Sequence, residues 1–275
     1  MKDLSGKTAL VTGGSSGMGL EYARELLERG CGVLLVSNRE EELNEVKETL
    51  SAKYPDGPSV LILCRDLALN GAAKDICDWC DEQGLSIDIL VNNAGMFFMH
   101  YLHPEDLPLI RTMIGVHVDA VTELSVLFGN KMKERGGGYI LNVSSMTARI
   151  PAPGIAIYSA TKTYLKSFGR SFSYEMRPYG VFVTTVCPAA VDTPLYPISD
   201  RLRRILKKLG IIKSTRFIVR RALKALFRGR RVISPTLMND IVPALVAMMP
   251  SRLIDRLGQK WIERPGNQAL KHNSK

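Results

Sequence analysis

The sequence predicts an α/β protein, built as a doubly wound, mostly parallel sheet of seven strands in a single domain with a helical C-terminal extension. Three observations lead to this fold class. Short runs of β-branched and apolar residues alternate with longer segments of helical period, which is the pattern of a parallel sheet covered by helices on both faces. The 275 residues are 45% hydrophobic and 23% charged, as is typical of a globular protein. No internal repeat or low-complexity linker divides the chain.

The predicted elements follow one another without a break through most of the chain. Short apolar runs predict strands at Lys7 to Thr12, Gly32 to Ser37, Val60 to Cys64, Ile87 to Asn92, Tyr139 to Ser144, Val181 to Cys187 and near Val232. Helical spacing of about three to seven turns predicts helices at Gly17 to Arg29, Glu40 to Lys53, Gly71 to Glu82, Leu107 to Met132, Tyr158 to Arg177 and Phe217 to Arg228. Two segments fall outside this alternation, Pro194 to Lys213 and Pro235 to Lys275.

Charge and composition limit the classes of function and the compartment. The net charge is +10, but the first 199 residues carry −5 and the last 76 carry +15, so we expect an anionic partner for the last quarter. No stretch approaches the roughly 18 uninterrupted apolar residues of a spanning helix, and the polar N-terminus lacks the core of a signal peptide. The five cysteines are an odd number without framework spacing. We therefore expect a cytoplasmic protein, which can also attach peripherally to a membrane.

A glycine-rich turn follows the first predicted strand and opens the first helix. Its residues Gly13, Ser15, Ser16, Gly17, Met18 and Gly19 are candidate cofactor-binding residues. Their backbone N–H groups and the positive end of the helix can face a pyrophosphate. The alternative is a tight connection that uses glycine only for its geometry.

The end of the second strand, Ser37-Asn38-Arg39, indicates which dinucleotide binds. An acidic residue at this place accepts a hydrogen bond from the ribose 2′-hydroxyl, whereas a basic residue accommodates a 2′-phosphate. Since Asn38 and Arg39 offer no carboxylate and one guanidinium, NADP(H) is favoured over NAD(H), and Ser15 can add a hydroxyl contact. The alternative is that Arg39 belongs to a solvated turn.

Two further turns follow the third and fourth strands, where open α/β sheets place their ligands. Asp66 and Leu67 stand in the first of them, and Asp66 offers a carboxylate to an adenine amino group. Asn93, Ala94 and Gly95 stand in the second. Both segments can also serve simply as turns.

A serine, a tyrosine and a lysine carry the predicted chemistry. Tyr158 and Lys162 are four residues apart on one helix face, so the ammonium group can favour the phenolate. Ser145 ends the fifth strand thirteen residues earlier and can place a hydroxyl beside the phenol. Ser144 is the neighbouring alternative, although strand alternation directs it to the other face.

With these motifs in order, the chain resembles the short-chain dehydrogenase/reductase family over about residues 4 to 235. The resemblance implies a Rossmann-type domain and nicotinamide-dependent interconversion of ketones and alcohols. It also implies that Tyr158 protonates the carbonyl oxygen, that Lys162 lowers the tyrosine pKa and binds the nicotinamide ribose, and that Ser145 holds the oxygen. Val191 and Thr193 match family positions that contact the nicotinamide carboxamide.

The chain departs from the family pattern at two positions. His117 stands where the family usually has an asparagine in a water relay to the lysine, so a proton-relay role and a packing role are both open. Ala189 stands where glycine commonly follows proline, which narrows the allowed backbone without forbidding the loop. No metal site is expected, because Cys77 and Cys80 have no second pair of ligands nearby.

The resemblance makes residues 1–235 the dehydrogenase domain, with a substrate lid at about 194–213, and residues 236–275 a basic and apolar extension. Leu202, Ile205, Leu206 and Leu209 form an apolar stripe within a cationic lid segment. Such a lid suits a lipophilic substrate with an acidic group or an anionic membrane surface, although packing on the core is equally consistent. The apolar run Ile241 to Pro250 can cover the cleft, meet a second subunit or rest in a lipid interface.

The expected function is therefore an NADP(H)-dependent oxidoreductase that interconverts a ketone and a secondary alcohol on a lipophilic substrate. The extension loosely resembles those of hydroxysteroid dehydrogenases, 3-ketoacyl reductases and 3-ketosphinganine reductases. The alternative is an NADP(H)-binding sensor or membrane-surface protein without turnover. The resemblance implies a homodimer or homotetramer. Nucleic acid is not an expected partner, because the basic residues lack a recognition fold or an aromatic platform.

Overall fold

The computed structural model describes residues 2–55, 57–150, 152–189 and 213–262. Seven parallel strands form one sheet in the order β3-β2-β1-β4-β5-β6-β7. They are β1 Thr8–Thr12, β2 Gly32–Ser37, β3 Val60–Cys64, β4 Ile89–Asn92, β5 Gly138–Val143, β6 Val181–Val186 and β7 Val232–Ile233. The chain winds outward from β1 in both directions, which confirms the predicted doubly wound fold.

Helices cover both faces of the sheet. They are α1 Gly17–Leu27, α2 Glu40–Lys53, α3 Ala72–Glu82, α4 Leu107–Ile114, α5 Ala120–Glu134, α6 Ala156–Met176, α7 Thr215–Phe227, α8 Met238–Ala247 and α9 Ser251–Ile262. The last two form the described part of the C-terminal extension, which is helical as predicted. Residues 190–212, which include most of the predicted lid, lie outside the described residues.

Two hydrophobic layers flank the sheet because neighbouring strand residues point to opposite faces. Ala9 and Val11 of β1 pack with α1 and α7, whereas Leu10 packs with α3, α5 and α6. The central strands are buried on both sides, as in other parallel sheets. The carboxyl edge of this buried sheet carries the described residues of the predicted site.

The long helix predicted at Leu107 to Met132 is interrupted. A π-helical segment, Gly115–Asp119, separates α4 from α5 and includes His117. A Cβ at Gly115 would lie 3.1 Å from the Ala68 carbonyl oxygen, so the missing side chain lets the helix approach the loop after β3. The stretch Pro104–Glu134 is long and apolar enough to cross a membrane, but half of its apolar window is buried inside the fold.

Part of the positive charge of the last quarter is neutralised within the fold. Glu25 of α1 is 1% exposed and accepts hydrogen bonds from Arg216 (3.2 Å) and Arg220 (2.5 Å) of α7 and from Arg29 (3.3 Å). Burial would raise the pKa of Glu25, but the arginines, Arg220 foremost, lower it. These ion pairs hold α7 against α1.

Candidate active site

The glycine-rich turn is shaped by close backbone packing. Gly13 has a φ of +64°, a left-handed conformation that favours glycine. A Cβ at Gly19 would lie 1.9 Å from the Gly13 carbonyl oxygen, so α1 can follow the turn only with glycine there. Ser16 is the N-cap residue of α1, and its side chain makes no capping hydrogen bond. The first-turn N–H groups therefore have no side-chain acceptor at the cap and suit a pyrophosphate.

Thr12 fastens this turn to the loop after β4. Its Oγ1 accepts hydrogen bonds from the backbone N–H groups of Asn93 and Ala94, both at 3.0 Å, and donates one to the Val91 carbonyl oxygen at 3.3 Å. The Asn93 side chain donates to the Thr12 carbonyl oxygen at 3.0 Å. Asn93 thus braces the glycine turn. Sequence reasoning missed Thr12, because its place at the end of β1 does not reveal partners 81 and 82 residues away.

A carboxylate lies between the groups predicted to hold a 2′-phosphate. Arg39 Nη1 donates to Glu42 Oε1 at 2.6 Å, and Ser15 Oγ donates to Glu42 Oε2 at 2.9 Å. Ser37 Oγ lies 3.1 Å from Ser15 Oγ, and Asn38 is exposed beside them. Burial would raise the pKa of Glu42, but the hydrogen bonds from Arg39 and Ser15 lower it. Glu42 was not among the predicted site residues, although its spacing of three residues from Arg39 on a helix is a typical ion-pair signal.

In the segment after β3, Asp66 stabilises a turn through its own side chain. Asp66 Oδ1 accepts a hydrogen bond from the Ala68 backbone N–H at 2.9 Å, and Leu67 is buried in the core. Asp66 itself is half-buried at the carboxyl edge of the sheet. Its position is compatible with both interpretations that the sequence left open.

Ser145, Tyr158 and Lys162 are all buried near the carboxyl end of β5, with exposed fractions of 5%, 3% and 5%. Ser145 follows the strand and caps the short 3₁₀ helix Met146–Arg149, its Oγ accepting from the Thr147 N–H at 3.2 Å. Tyr158 and Lys162 lie one turn apart on α6, with Lys162 Nζ 5.7 Å from the centroid of the tyrosine ring. Ser144 instead donates to the Lys162 carbonyl oxygen at 2.6 Å.

The Lys162 ammonium group is desolvated. Among the described residues, Nζ makes one hydrogen bond, to the Val143 carbonyl oxygen at 3.1 Å. Burial lowers the pKa of Lys162 to about 8, with the Cys187 thiol a minor opposing influence. An ammonium has three donors, so this lysine has donor capacity for oxygen acceptors such as a ribose hydroxyl or a phenol.

His117 links the start of the loop after β4 to α6. Its Nε2 accepts from the Met96 backbone N–H at 3.1 Å, and its Nδ1 lies 2.9 Å from Thr161 Oγ1. Because Thr161 Oγ1 donates its own proton to the Tyr158 carbonyl oxygen at 2.9 Å, the hydroxyl accepts from His117 Nδ1–H. Burial, assisted by Lys162, lowers the pKa of His117 well below its usual value. The imidazole is therefore neutral, with both nitrogens engaged.

Apolar residues form a wall around the phenol. The Phe97 ring meets the Tyr158 ring edge to face at a centroid distance of 4.9 Å, and His117 meets it at 5.9 Å. Phe98 and Met113 belong to the same buried cluster as Tyr158, with Met96 half-buried against them. Gly95 lies where a Cβ would be 2.9 Å from His117 Nε2 and 3.6 Å from Lys162 Nζ.

Some of the predicted positions lie in the segment that the structure does not describe. Val191, Thr193 and the apolar stripe of the lid lie outside the described residues, and Ala189 is the last residue described before that gap. Cys77 and Cys80 are buried thiols of α3, and burial raises the pKa of both. Within the described ranges, no three metal-ligating side chains come together, so the expectation of no metal site stays a prediction for the whole chain.

Residues 7–200 match the family model described as short chain dehydrogenase. The chain belongs to this family. It is accordingly an oxidoreductase acting on CH–OH and C=O groups, and its fold is one that binds NAD(P)(H). The predicted family and enzyme class are thus confirmed.

Curated relatives of this short-chain dehydrogenase include the very-long-chain 3-oxoacyl-CoA reductases of Homo sapiens and Mus musculus. The human enzyme is 32% identical over 252 residues, which cover 90% of this chain and 76% of the relative. The mouse enzyme is 29% identical over 276 residues, which cover 98% and 84%. Among solved structures, a short-chain dehydrogenase from Sphingobium yanoikuyae in complex with NADPH superposes with a TM-score of 0.73 at 25% identity, covering 89% of this chain and 96% of that one.

The described residues fit a nicotinamide dinucleotide. The first turn of α1 lacks a side-chain cap, and the Lys162 ammonium group is buried with one hydrogen bond among the described residues. Gly95 is exposed, and a Cβ there would lie 3.6 Å from Lys162 Nζ, so the missing side chain leaves space beside the ammonium group. The N–H groups at the start of α1 can bind the pyrophosphate anion, and the Lys162 ammonium group can donate hydrogen bonds to ribose hydroxyl groups.

Proposed function

We propose that this short-chain dehydrogenase is an NADPH-dependent reductase of long-chain 3-oxoacyl thioesters. The observation that carries the proposal is the burial of Ser145, Tyr158 and Lys162 together beside an apolar wall. Together, a hydroxyl, a phenol and an ammonium group can supply a hydrogen bond to a carbonyl oxygen, a proton for it and a cation that stabilises the phenolate. The apolar wall supports a lipophilic substrate.

In this mechanism the protein supplies the proton and positions the carbonyl group. When bound, the dinucleotide supplies a hydride to the carbonyl carbon. Tyr158 donates its phenolic proton to the carbonyl oxygen, which becomes the hydroxyl of the product. Ser145 donates a hydrogen bond to the same oxygen, and Lys162 stabilises the phenolate that remains.

We assign His117 as a positioning residue, with no part in the proton relay. A relay through Nε2 needs the lone pair that already accepts from the Met96 N–H at 3.1 Å. Through its two hydrogen bonds, His117 ties the loop that carries Phe97 to the helix that carries Tyr158. It therefore fixes the apolar wall relative to the phenol.

The preference for NADP(H) is part of the proposal. Arg39 supplies a guanidinium at the end of β2, and Ser15 supplies a hydroxyl from the glycine turn. Both groups are donors, which suits a 2′-phosphate. Asn38, the backbone of Gly17, Met18 and Ala94, and the predicted carboxamide contacts Val191 and Thr193 complete the proposed dinucleotide site.

The names of the human and mouse relatives favour an acyl thioester over the steroid and keto-sphingoid substrates. To test this, NADPH oxidation is measured with 3-oxoacyl-CoA of increasing chain length, with a steroid ketone and with 3-ketosphinganine. We expect kcat/KM to rise with acyl length and to exceed that of the other two ketones. Turnover of the steroid alone would overturn the substrate assignment, and no turnover of any ketone would favour the sensor alternative.

The role of Tyr158 is tested with a matched control on the same helix. Tyr158→Phe removes the buried phenolic hydroxyl, whereas Tyr164→Phe removes one that contacts Thr122 Oγ1 at 2.9 Å on the surface. We expect Tyr158→Phe to lose at least about a hundredfold in kcat and to bind NADPH as the wild type does. Tyr164→Phe should turn over normally. Undiminished turnover of Tyr158→Phe would refute the mechanism.

We also propose that the protein is a cytoplasmic homo-oligomer that attaches peripherally to anionic membranes. Tyr164 and Phe168 stack at 5.7 Å on the outer side of α6, and Val126 of α5 is 41% exposed, which supports a second copy at this face. Light scattering of the wild type and of Val126→Lys tests this face as the subunit interface. A wild type that is already a monomer would exclude it.

The membrane surface is assigned to α8. Four apolar residues on this helix and at its two caps are exposed: Leu237, Ile241, Leu245 and Met248 are 80%, 48%, 58% and 83% exposed. The helix is held to the segments that follow β5 and β6, since Asn239 donates to the Cys187 carbonyl oxygen at 2.5 Å and Arg149 pairs with Asp240 at 2.9 Å. An apolar helix face on a basic C-terminal region matches an anionic lipid interface.

Flotation with phosphatidylglycerol-containing and pure phosphatidylcholine vesicles tests this surface. We expect binding to the anionic vesicles, and a loss of at least about tenfold in the double variant Ile241→Asn, Leu245→Asn. Equal flotation of the wild type and the variant would exclude α8 as the lipid surface. A change of oligomeric state in the double variant, without lipid binding by the wild type, would assign α8 to a subunit interface instead.

A further inference from the structure

Glu42 occupies a position that the dehydrogenase chemistry does not explain. Its carboxylate joins the first turn of α2 to the glycine turn, with Arg39 Nη1 at 2.6 Å on one oxygen and Ser15 Oγ at 2.9 Å on the other. Arg39 is mostly exposed, whereas Ser15 is 8% exposed. An isolated surface ion pair at this helix spacing contributes little. The contact with buried Ser15 makes this pair part of the proposed dinucleotide site.

Both donors are the groups proposed to hold a 2′-phosphate. The carboxylate therefore competes with the phosphate for the Ser15 hydroxyl and for one N–H group of Arg39. A phosphate brought to Arg39 and Ser15 would also face a like charge within a few ångströms, and like charges at this separation near a protein surface repel appreciably. The 2′-hydroxyl of NAD(H) is not repelled by this carboxylate, because a hydroxyl is uncharged and can donate a hydrogen bond to it.

We infer that Glu42 is a second determinant of dinucleotide selectivity, acting against the 2′-phosphate and in favour of the 2′-hydroxyl. Arg39 attracts NADP(H), and Glu42 limits that attraction by neutralising the guanidinium and engaging Ser15. The wild-type preference for NADP(H) is then smaller than the Arg39 guanidinium alone would give. This inference rests on the proposed function, because it takes Arg39 and Ser15 as the phosphate-binding groups.

The test measures the dissociation constants of NADPH and NADH for four proteins by fluorescence titration: wild type, Glu42→Gln, Glu41→Gln and Arg39→Ala. Glu41 lies beside Glu42 in the first turn of α2 and is exposed, so its variant removes the same charge away from Arg39 and Ser15. We expect Glu42→Gln to bind NADPH about tenfold more tightly and NADH equally or more weakly. We expect Glu41→Gln to change either constant less than about twofold.

A double variant separates this inference from the proposed cofactor preference. If Arg39 and Glu42 act on the same phosphate, Glu42→Gln should gain less NADPH affinity in the Arg39→Ala background than in the wild type. Unchanged NADPH affinity in Arg39→Ala would overturn the proposed preference itself. Loss of affinity in Arg39→Ala together with no change in Glu42→Gln would overturn only the role of Glu42. Equal gains of NADPH affinity in Glu42→Gln and Glu41→Gln would show that the net charge of the protein, and not the position of Glu42, causes the change, and would overturn the inference.

Discussion

The buried lysine of the site should make the nucleotide-free protein less stable at neutral pH than at alkaline pH. The pKa of Lys162 falls from 10.5 to about 8 in the fold because the ammonium group is desolvated. The unfolded chain therefore binds more protons than the folded chain between these two values, so the free energy of unfolding rises with pH across this window. The perturbation is Lys162→Met, which removes the titrating group and keeps most of the side-chain volume.

The size of the effect follows from the pKa. A shift of this extent corresponds to about 3 kcal/mol of destabilisation when the lysine is fully charged in both states. Part of the window is accessible to experiment. Raising the pH from 7 to about 9.5 should stabilise the wild type by about 2 kcal/mol relative to Lys162→Met. The lost hydrogen bond to the Val143 carbonyl oxygen changes the offset between the two proteins, but not this pH dependence.

Urea unfolding followed by circular dichroism at both pH values gives the difference directly. Lys166→Met is the matched control, because Lys166 lies one turn further along α6 and is only half-buried. Burial also lowers the pKa of Lys166, with Arg149 assisting, so its variant should show the same trend more weakly. A stability difference between the wild type and Lys162→Met that stays constant from pH 7 to about 9.5 would refute the assignment of a desolvated ammonium group.

Two other predictions concern residues that hold the site together. Thr12→Val leaves the backbone N–H groups of Asn93 and Ala94 without their acceptor, so we expect a loss of about 2 to 4 kcal/mol in urea unfolding, whereas Thr12→Ser should stay near the wild type. His117→Phe should lower kcat about tenfold at unchanged NADPH affinity, because the wall around the phenol loses its tie to Met96. Since the pKa of His117 lies well below 6.5, the pH profile of the wild-type kcat should show no histidine transition between pH 6 and 8. A transition in this range that is absent in His117→Phe would instead support a role of His117 in the proton relay.

Much of the architecture was accessible from local sequence patterns. Six of the seven strands could be placed within a residue or two, because parallel strands buried on both faces are continuous apolar runs. The helix at Leu107 to Met132 was predicted as continuous and is not. Its π-helical segment begins at Gly115, which lies close to Ala68, and helical periodicity contains no signal of this contact between distant segments.

The positions of the candidate catalytic residues could be predicted from the sequence because their spacing along the chain is a signal. Ser145, Tyr158 and Lys162 are separated by fixed numbers of residues, and strand alternation was enough to set Ser144 aside, whose hydroxyl donates to the Lys162 carbonyl oxygen. Their functional roles remain proposals. The partners of Thr12 and His117 could not be read from the sequence, because both reach across the sheet edge to segments far along the chain. For Glu42, the ion pair with Arg39 has a sequence signal, but the contact with Ser15 has none.

Hydride transfer to a long-chain 3-oxoacyl thioester is tested most directly by isotope transfer in a single turnover. The enzyme is mixed with 3-oxopalmitoyl-CoA and NADPH carrying deuterium at both C4 positions, and the product is analysed by mass spectrometry. We predict 3-hydroxypalmitoyl-CoA with one deuterium at C3 from the wild type and from Tyr164→Phe, and no such product from Tyr158→Phe. Unlabelled hydroxyacyl product, or equal labelled product from Tyr158→Phe, would contradict the proposed reaction and the proton donor assigned to it.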